Sequence, residues 1–448
     1  MKILSSSKPS RWGGAWLLGL LLVALSWLPP TAAHATHLRA GDIQAKVDTT
    51  PTHNPNRIFF KLTIYRDPST NIPQNTFDMY FGDGTKATAN RTGNVQVRPN
   101  IIISTYLFDH TYPGSSSYHV VAYENNRVAG VVNILGSVNQ SFALYLDITI
   151  TPGLGLNHSP VLKAPAIDQA SADQVYLHNP GAFDADGDSL GFELVPSQQV
   201  LYPTPIPANY SPLTVDCSNF GYANSQAYGG AAPNNPRQVA YPYDPTTQVN
   251  ANATLRITPL GQIIWNSPKQ LGEYNIAFLV KEYRRTSGGR YIQIGQILRD
   301  MQVTVVMQQN IRPTITIPND TCVVAGTFIS KSVTAVDGSS ATSPQTPVVL
   351  SAYGGMLPPN ATQPAATFTQ STQGPPRAVG RFQWTPDCVN IAKDPYLIVF
   401  KAEDTPHVPV QTNDPPLIDE KTWRVTVIGP APTGLLATAV QGPQVVLN

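Results

Sequence analysis

The apolar residues of this chain fall in short runs broken by polar positions, as in Ile58-Phe59-Phe60-Lys61-Leu62-Thr63-Ile64-Tyr65, Tyr118-His119-Val120-Val121-Ala122-Tyr123 and Phe142-Ala143-Leu144-Tyr145-Leu146-Asp147-Ile148. A period of two sends successive side chains to opposite faces of a strand, and the Gly, Pro and Asn between the runs supply turns. No convincing helical stripe of ten or more residues follows the N-terminal leader. The pattern therefore predicts an all-β chain of tandem antiparallel β-sandwich domains.

Two breaks divide it, near Thr151-Pro152-Gly153-Leu154-Gly155 and from Gln308 to Pro313, each just after an alternating Ile, Val and Thr run. Read as linkers, they predict sandwiches over 36–152, 153–308 and 309–429, with 430–448 as a tail. The last two answer each other. Gly261-Gln262-Ile263-Ile264-Trp265 corresponds to Gly380-Arg381-Phe382-Gln383-Trp384, Tyr274-Asn275-Ile276-Ala277-Phe278 to Tyr396-Leu397-Ile398-Val399-Phe400, and Val303-Thr304-Val305-Val306 to Val425-Thr426-Val427-Ile428. The same order at comparable spacing is an internal repeat, and stacked repeats make stalks or extended binding surfaces. Trp265 and Trp384, at equivalent positions, are expected in the cores.

The N-terminus changes the compartment. Lys2, Lys8 and Arg11 precede an apolar run from Ala15 to Leu28, and Pro29, Pro30 and Ala33-His34-Ala35 follow it. This is the pattern of a secretory signal peptide over 1–35, cleaved after Ala35. No later run is long enough to span a bilayer, so a protein exported to the cell surface or medium is expected. Charged residues make up 13% of the chain, about half the usual share, which fits a surface of Thr, Ser, Asn and Gln. A net charge of +1 implies no field to attract nucleic acid or an anionic membrane. Three cysteines do not fill a disulfide framework. Cys322 and Cys388 share one sandwich and could close a loop, leaving Cys217 buried, reactive or paired in another way.

Phe81-Gly82-Asp83-Gly84-Thr85, followed by His110-Thr111-Tyr112, Gly114 and Tyr118-His119-Val120, resembles the PKD-type repeat, with Met79-Tyr80 where that repeat usually carries Trp-Asp. Gly82-Asp83-Gly84 would supply the positive backbone angles of a tight turn, with Tyr112 and Tyr118 as core or tyrosine-corner residues. Asn157-His158-Ser159-Pro160 and Asp184-Ala185-Asp186-Gly187-Asp188-Ser189-Leu190 resemble the bacterial cadherin-like and immunoglobulin-like tandem repeats. Phe278-Leu279-Val280-Lys281-Glu282-Tyr283-Arg284 and Ile297-Leu298-Arg299-Asp300-Met301-Gln302-Val303 resemble ectodomains of gliding-motility-associated surface proteins of Bacteroidota, here with a longer turn from Arg285 to Tyr291. Ala431-Pro432-Thr433-Gly434-Leu435-Leu436-Ala437 onward resembles the first strands of a fibronectin type III repeat cut short, as a truncated gene product would show.

Candidate chemistry is concentrated in one loop. Asp184, Asp186 and Asp188 at alternate positions around Gly187 crowd three carboxylates, a repulsion that calcium would relieve because it accepts six to eight oxygens in flexible geometry. A solvated turn is the plainer reading of the same residues. Glu282 is a further candidate ligand, or a surface residue paired with Arg284 or Arg299. The third sandwich keeps the turn as Asp337-Gly338-Ser339 but loses two carboxylates, and Asp83 reads as a turn residue.

The span 201–243 is longer than a sandwich needs and holds Tyr202, Tyr210, Tyr222, Tyr228, Tyr241 and Tyr243. These either contact a sugar or protein ligand or pin the insertion onto the sandwich. No Gly-x-Ser-x-Gly elbow, His-Glu-x-x-His helix, phosphate loop or Cys-x-x-Cys pair is present, so the expectation is a non-enzyme. The resulting reading is an adhesin-like binding or spacer protein whose partner is a surface protein or a polysaccharide. The alternative is a carbohydrate-binding or spacer region of a polysaccharide-degrading system.

Overall fold

The computed structural model describes residues 38–431 apart from 69–73, 99, 202, 204–206, 208, 226, 228–236, 241–243, 341–342, 360, 373–376 and 406–415, together with 437–439 and 445–447. The expected leader, and Tyr202, Tyr228, Tyr241 and Tyr243, lie outside the described residues. Among the described residues the ordered elements are β-strands and a few 3₁₀ turns, as the alternating pattern predicts.

The first module consists of β1 (Leu38–Val47), β2 (Arg57–Arg66), β3 (Thr76–Tyr80), β4 (Lys86–Arg98), β5 (Ile101–Thr111), β6 (Ser116–Glu124) and β7 (Phe142–Ile150), in spatial order β1-β2-β5-β4-β3-β6-β7. Alternation holds in the first half of β2, where Ile58, Phe60 and Leu62 are buried and Lys61 is exposed, while every residue from Leu62 to Arg66 is buried. The turn after β3 needs glycine at Gly82, because φ is +83° and a Cβ there would lie 2.6 Å from the His119 carbonyl oxygen. Tyr112 and Tyr118 are buried, their hydroxyls donating to the carbonyls of Phe81 (3.1 Å) and Gly114 (2.7 Å).

The second module contains β8 (Val161–Leu162), β9 (Ile167–Ser171), β10 (Tyr176–His178), β11 (Ala182–Phe183), β12 (Ser189–Val195), β13 (Gln198–Val200), β14 (Thr214–Asp216), β15 (Arg237–Ala240), β16 (Asp244–Asn252), β17 (Thr254–Ile257), β18 (Ile263–Asn266), β19 (Gly272–Arg285) and β20 (Tyr291–Val306). One sheet runs β9-β20-β19-β12 and the opposing one β10-β18-β17. The third module, β21 (Thr314–Thr316), β22 (Thr321–Val324), β23 (Ile329–Val336), β24 (Val348–Tyr353), β25 (Thr367–Thr372), β26 (Arg377–Trp384), β27 (Tyr396–Asp404) and β28 (Ile418–Ile428), has the sheets β22-β28-β27-β24 and β21-β23-β26-β25. The two orders correspond, with β21 an additional strand on the second sheet of the third module, and they share a parallel edge pairing of β9 with β20 and of β22 with β28. Small details repeat as well. Ala172 and Ala325 each donate to the last residue of that parallel partner strand, and Asp173 and Gly326 to the carbonyls of Pro268 and Pro386. Trp265 sits edge-on to Tyr274 at 5.0 Å, and Trp384 edge-on to Tyr396 at 5.1 Å. Both tryptophans are core residues. After the third module, β29 (Ala437–Ala439) and β30 (Val445–Leu447) pair antiparallel.

The first two modules share one sheet. β20 pairs with β7 through Gly295–Ile297 and with Gly41 of β1 at Asp300, so the first module's strands wrap round and are closed by a strand of the second. A single apolar core accordingly runs from Leu38 to Val305, while the third module has its own. The residues from Gln308 to Pro313 act as a clamp. Gln174 donates to the Asn310 carbonyl (2.6 Å), Asn310 to Asp404 (2.8 Å), and the buried Arg312 guanidinium to the carbonyls of Val175 and Ile418.

The shared sheet is covered on both faces. Residues Phe142–Leu146 of β7 and Asn275–Val280 of β19 are buried without interruption, which a one-sided sheet does not produce. The second face, with Val121, Ala143, Tyr145, Ala277, Leu279 and Leu298, packs under Val200 of β13 and Tyr210 of the insertion. Ser141 Oγ accepts from the Val200 amide (2.6 Å), and Gln140 donates to the Ser218 carbonyl (2.8 Å).

Candidate metal centre

The acidic loop joins β11 to β12 and turns on Gly187, whose φ is +78°. Asp184 directs the local fold: its Oδ1 accepts the amides of Asp186 and Asp188, both at 2.9 Å, the usual Asx geometry of such a turn. Its other oxygen, Oδ2, is buried without a hydrogen-bond donor. Glu282 enters from β19, in register with Leu190 of β12 and next to a β-bulge. Gly295 leaves it room, since a Cβ there would lie 3.0 Å from Glu282 Oε2. Glu282 is 1% exposed, accepts from Asn157 Nδ2 at 3.0 Å, and has no donor for Oε1. One oxygen from each of Asp184, Asp186, Asp188 and Glu282 fits within a group whose members are all within 4.8 Å of one another. The structure thus brings together all four expected ligands. Glu282 is no surface residue, and Arg299 pairs instead with Asp42 at 2.6 Å, both side chains being 2% exposed.

The electrostatics follow from this crowding. Burial, followed by the neighbouring Asp188 and Asp186 charges, raises the Asp184 carboxyl to about 6 against the help of two backbone amides. Burial and then the Asp184 charge push Glu282 up to about 10. Burial also acts to raise Asp186, but hydrogen bonds from the side chain (2.9 Å) and amide (2.6 Å) of His158 outweigh it and hold that carboxyl below the usual range. Arg284 takes Asp188, its Nε lying 3.0 and 3.1 Å from the two carboxylate oxygens. A buried carboxylate oxygen with no donor costs several kcal/mol unless protonated or bound to a cation. An all-oxygen donor set of this kind suits a hard cation such as calcium or magnesium better than zinc or copper. The residues fit the ion.

The centre also lies at a meeting point. Arg284 Nη1 donates to the carbonyls of Leu154 (2.6 Å) and Leu156 (2.9 Å), in the segment that joins the first two modules. On the other side, Ser189 Oγ donates to Asp394 of the third module at 2.9 Å. Phe183 packs close to Gly355, where a Cβ would meet its ring at 1.9 Å. Between the acidic loop and the third module lies a cleft of about 710 Å³, with Phe183, Asp186, Phe192, Ile391 and Lys393 among its walls. Asn157, His158 and Arg284 were not singled out from the sequence as site residues, although the motifs containing them were visible there.

The other expectations resolve as follows. Asp83 is a turn residue: Oδ1 accepts from Thr85 and Oδ2 lies 2.7 Å from His110 Nε2. Asp337 likewise closes its own turn, accepting the amide (2.6 Å) and hydroxyl (3.0 Å) of Thr346. Tyr210 packs edge-on to Tyr80 at 6.2 Å, and Tyr222 edge-on to Phe220 at 5.3 Å. Tyr210 therefore pins the insertion, while Tyr222 remains 42% exposed. Tyr80, which stands where the PKD pattern carries another residue, provides the anchor and also stacks on Tyr123 at 5.6 Å. The pairing of Cys322 with Cys388 is corrected: both are free and exposed, one in β22 and the other in the 3₁₀ turn Cys388–Asn390 after β26. Cys217 is free and buried, its thiol pushed up by burial despite the neighbouring Arg127.

No family model matches this chain, and no curated protein matches it. Among solved structures it is similar to the tandem Ig repeats of Dlar, with TM-score 0.21 and 9% identity over 61% of this chain and 100% of that one. It is also similar to repeats EC1-2 of human protocadherin-24, with TM-score 0.18 and 14% identity over 61% and 99%. An I-band fragment of titin gives TM-score 0.16 and 9% identity over 83% and 93%. With TM-scores this low the likenesses carry no argument about what this chain binds. The all-β architecture stands on its own strands.

Proposed function

We propose that this chain is a non-catalytic, exported modular protein that presents or spaces a binding surface outside the cell, with calcium held by Asp184, Asp186, Asp188 and Glu282. The observation that carries the reading is the placement of the carboxylate cluster, in which Asp184 and Glu282 each keep a buried oxygen without a donor: it sits between the segment Leu154–Asn157, the body of the second module and the contacts to the third. A cation there neutralises the repulsion among these buried carboxylates. The shared sheet and the buried ion pairs support the same reading, because they remove the freedom that a string of flexibly linked modules would have. The partner is a surface protein or a polysaccharide. The alternative, a carbohydrate-binding region, leans on Tyr222, the one exposed tyrosine among the described members of the candidate set. Among the described residues no helix is long and apolar enough to cross a membrane.

Immunoblotting of cytosolic, periplasmic, surface and medium fractions with an antibody against the second module tests the placement. The protein is expected in an exported fraction, shortened by the leader. Full-length protein confined to the cytosol contradicts it.

A further inference from the structure

Arg284 holds several of the oxygens that calcium would need. Its Nε and Nη2 reach both oxygens of Asp188, Nη2 also reaches Asn157 Oδ1 at 2.5 Å and Asp186 Oδ2 at 3.5 Å, and Nη1 holds the carbonyls of Leu154 and Leu156. With those oxygens occupied, the centre falls short of the six to eight that calcium takes. Yet one guanidinium does not satisfy the cluster. Glu282, 1% exposed, and Asp184, 6% exposed, each keep a buried oxygen without a donor.

We infer that Arg284 is a built-in counter-cation that competes with the metal: calcium entry displaces it from Asp188 and Asn157 and thereby frees the Leu154–Leu156 segment between the first two modules. This rests on the calcium reading above and adds a regulatory step to it. In the metal-free state the guanidinium ties that segment to the acidic loop. In the loaded state the ion takes over the carboxylates, and the segment loses its two guanidinium bonds. Metal affinity is then set below what the bare carboxylates would give, and occupancy is reported at the joint of the modules.

The test is calorimetric titration of the exported chain with calcium chloride, comparing the parent with Arg284→Gln and Arg284→Lys, alongside amide hydrogen exchange of residues 154–158 in the parent. Removing a unit positive charge a few Å from a divalent ion is expected to tighten binding by about tenfold in Arg284→Gln, while Arg284→Lys, which keeps the charge, stays closer to the parent. Exchange over 154–158 is expected to speed up when calcium is added to the parent, a readout that needs no variant to fold. Calcium binding that Arg284→Gln leaves unchanged or weakens, or slower exchange over 154–158 in calcium, overturns the competition alone. Absence of binding in parent and variants overturns the calcium reading, and the competition with it.

Discussion

Asp300→Ala is expected to cost about 3–5 kcal/mol of stability, among the largest effects of any single substitution in this chain. Asp300 is fully buried on β20 and pairs with the equally buried Arg127 of the first module at 2.7 Å. Its other oxygen accepts from Asn275 Nδ2 at 2.7 Å. Truncation leaves a guanidinium in a dry site with the Gln198 carbonyl as its remaining hydrogen-bonded oxygen. The damage comes from the stranded charge, not from loss of an attraction. Replacing both partners by apolar residues of similar volume, Arg127→Met with Asp300→Leu, is therefore expected to recover much of the loss. Urea unfolding with a shared probe checks both. A loss below about 1 kcal/mol in Asp300→Ala would mean that water reaches the pair and that the two modules are not sealed together.

Trp265→Ala and Trp384→Ala are each expected to cost about 3–5 kcal/mol, the range for emptying a large aromatic site. Both indoles are almost fully buried, yet they belong to different cores, the first shared by modules one and two and the second confined to module three. Sites that share no partners add. The double variant should thus lose the sum, and calorimetry should show Trp384→Ala lowering the third module's transition while that of the shared core moves little. Strong non-additivity would mean that the third module does not fold as a separate cooperative unit.

These particulars show how far the sequence reaches. Strand periodicity, the repeat of Gly261–Trp265 in Gly380–Trp384, and the crowding of Asp184, Asp186 and Asp188 are local properties, and each has its counterpart in the structure. What was not legible depends on partners far along the chain. Nothing local in Gly41 or in Gly295–Ile297 announces that β20 closes the first module. Arg127 and Asp300, 173 positions apart, look like two ordinary surface charges until the fold buries them against each other. The burial of Glu282 was likewise hidden, because its alternating strand gives it no sign of which face the acidic loop will cover. One signal was present and misread: Phe142-Ala143-Leu144-Tyr145-Leu146 is continuously apolar, which marks a strand covered on both sides and so a role for the insertion as a cover. The cysteines illustrate the opposite limit. Two thiols in one sandwich invited a pairing that their positions in β22 and after β26 do not make.

The central claim, that the carboxylate centre holds calcium, is tested most directly by scanning calorimetry of the chain in millimolar calcium and in chelator. An ion that binds only the folded state adds about 2.7 kcal/mol when present at a hundred times its dissociation constant. The account predicts that calcium raises the transition of the core shared by the first two modules by several degrees, and that Asp184→Asn and Glu282→Gln abolish the rise. Glu282→Gln, which removes a buried acid, should be no less stable than the parent in chelator. Identical transitions in calcium and chelator, or a calcium shift that survives both substitutions, would contradict it.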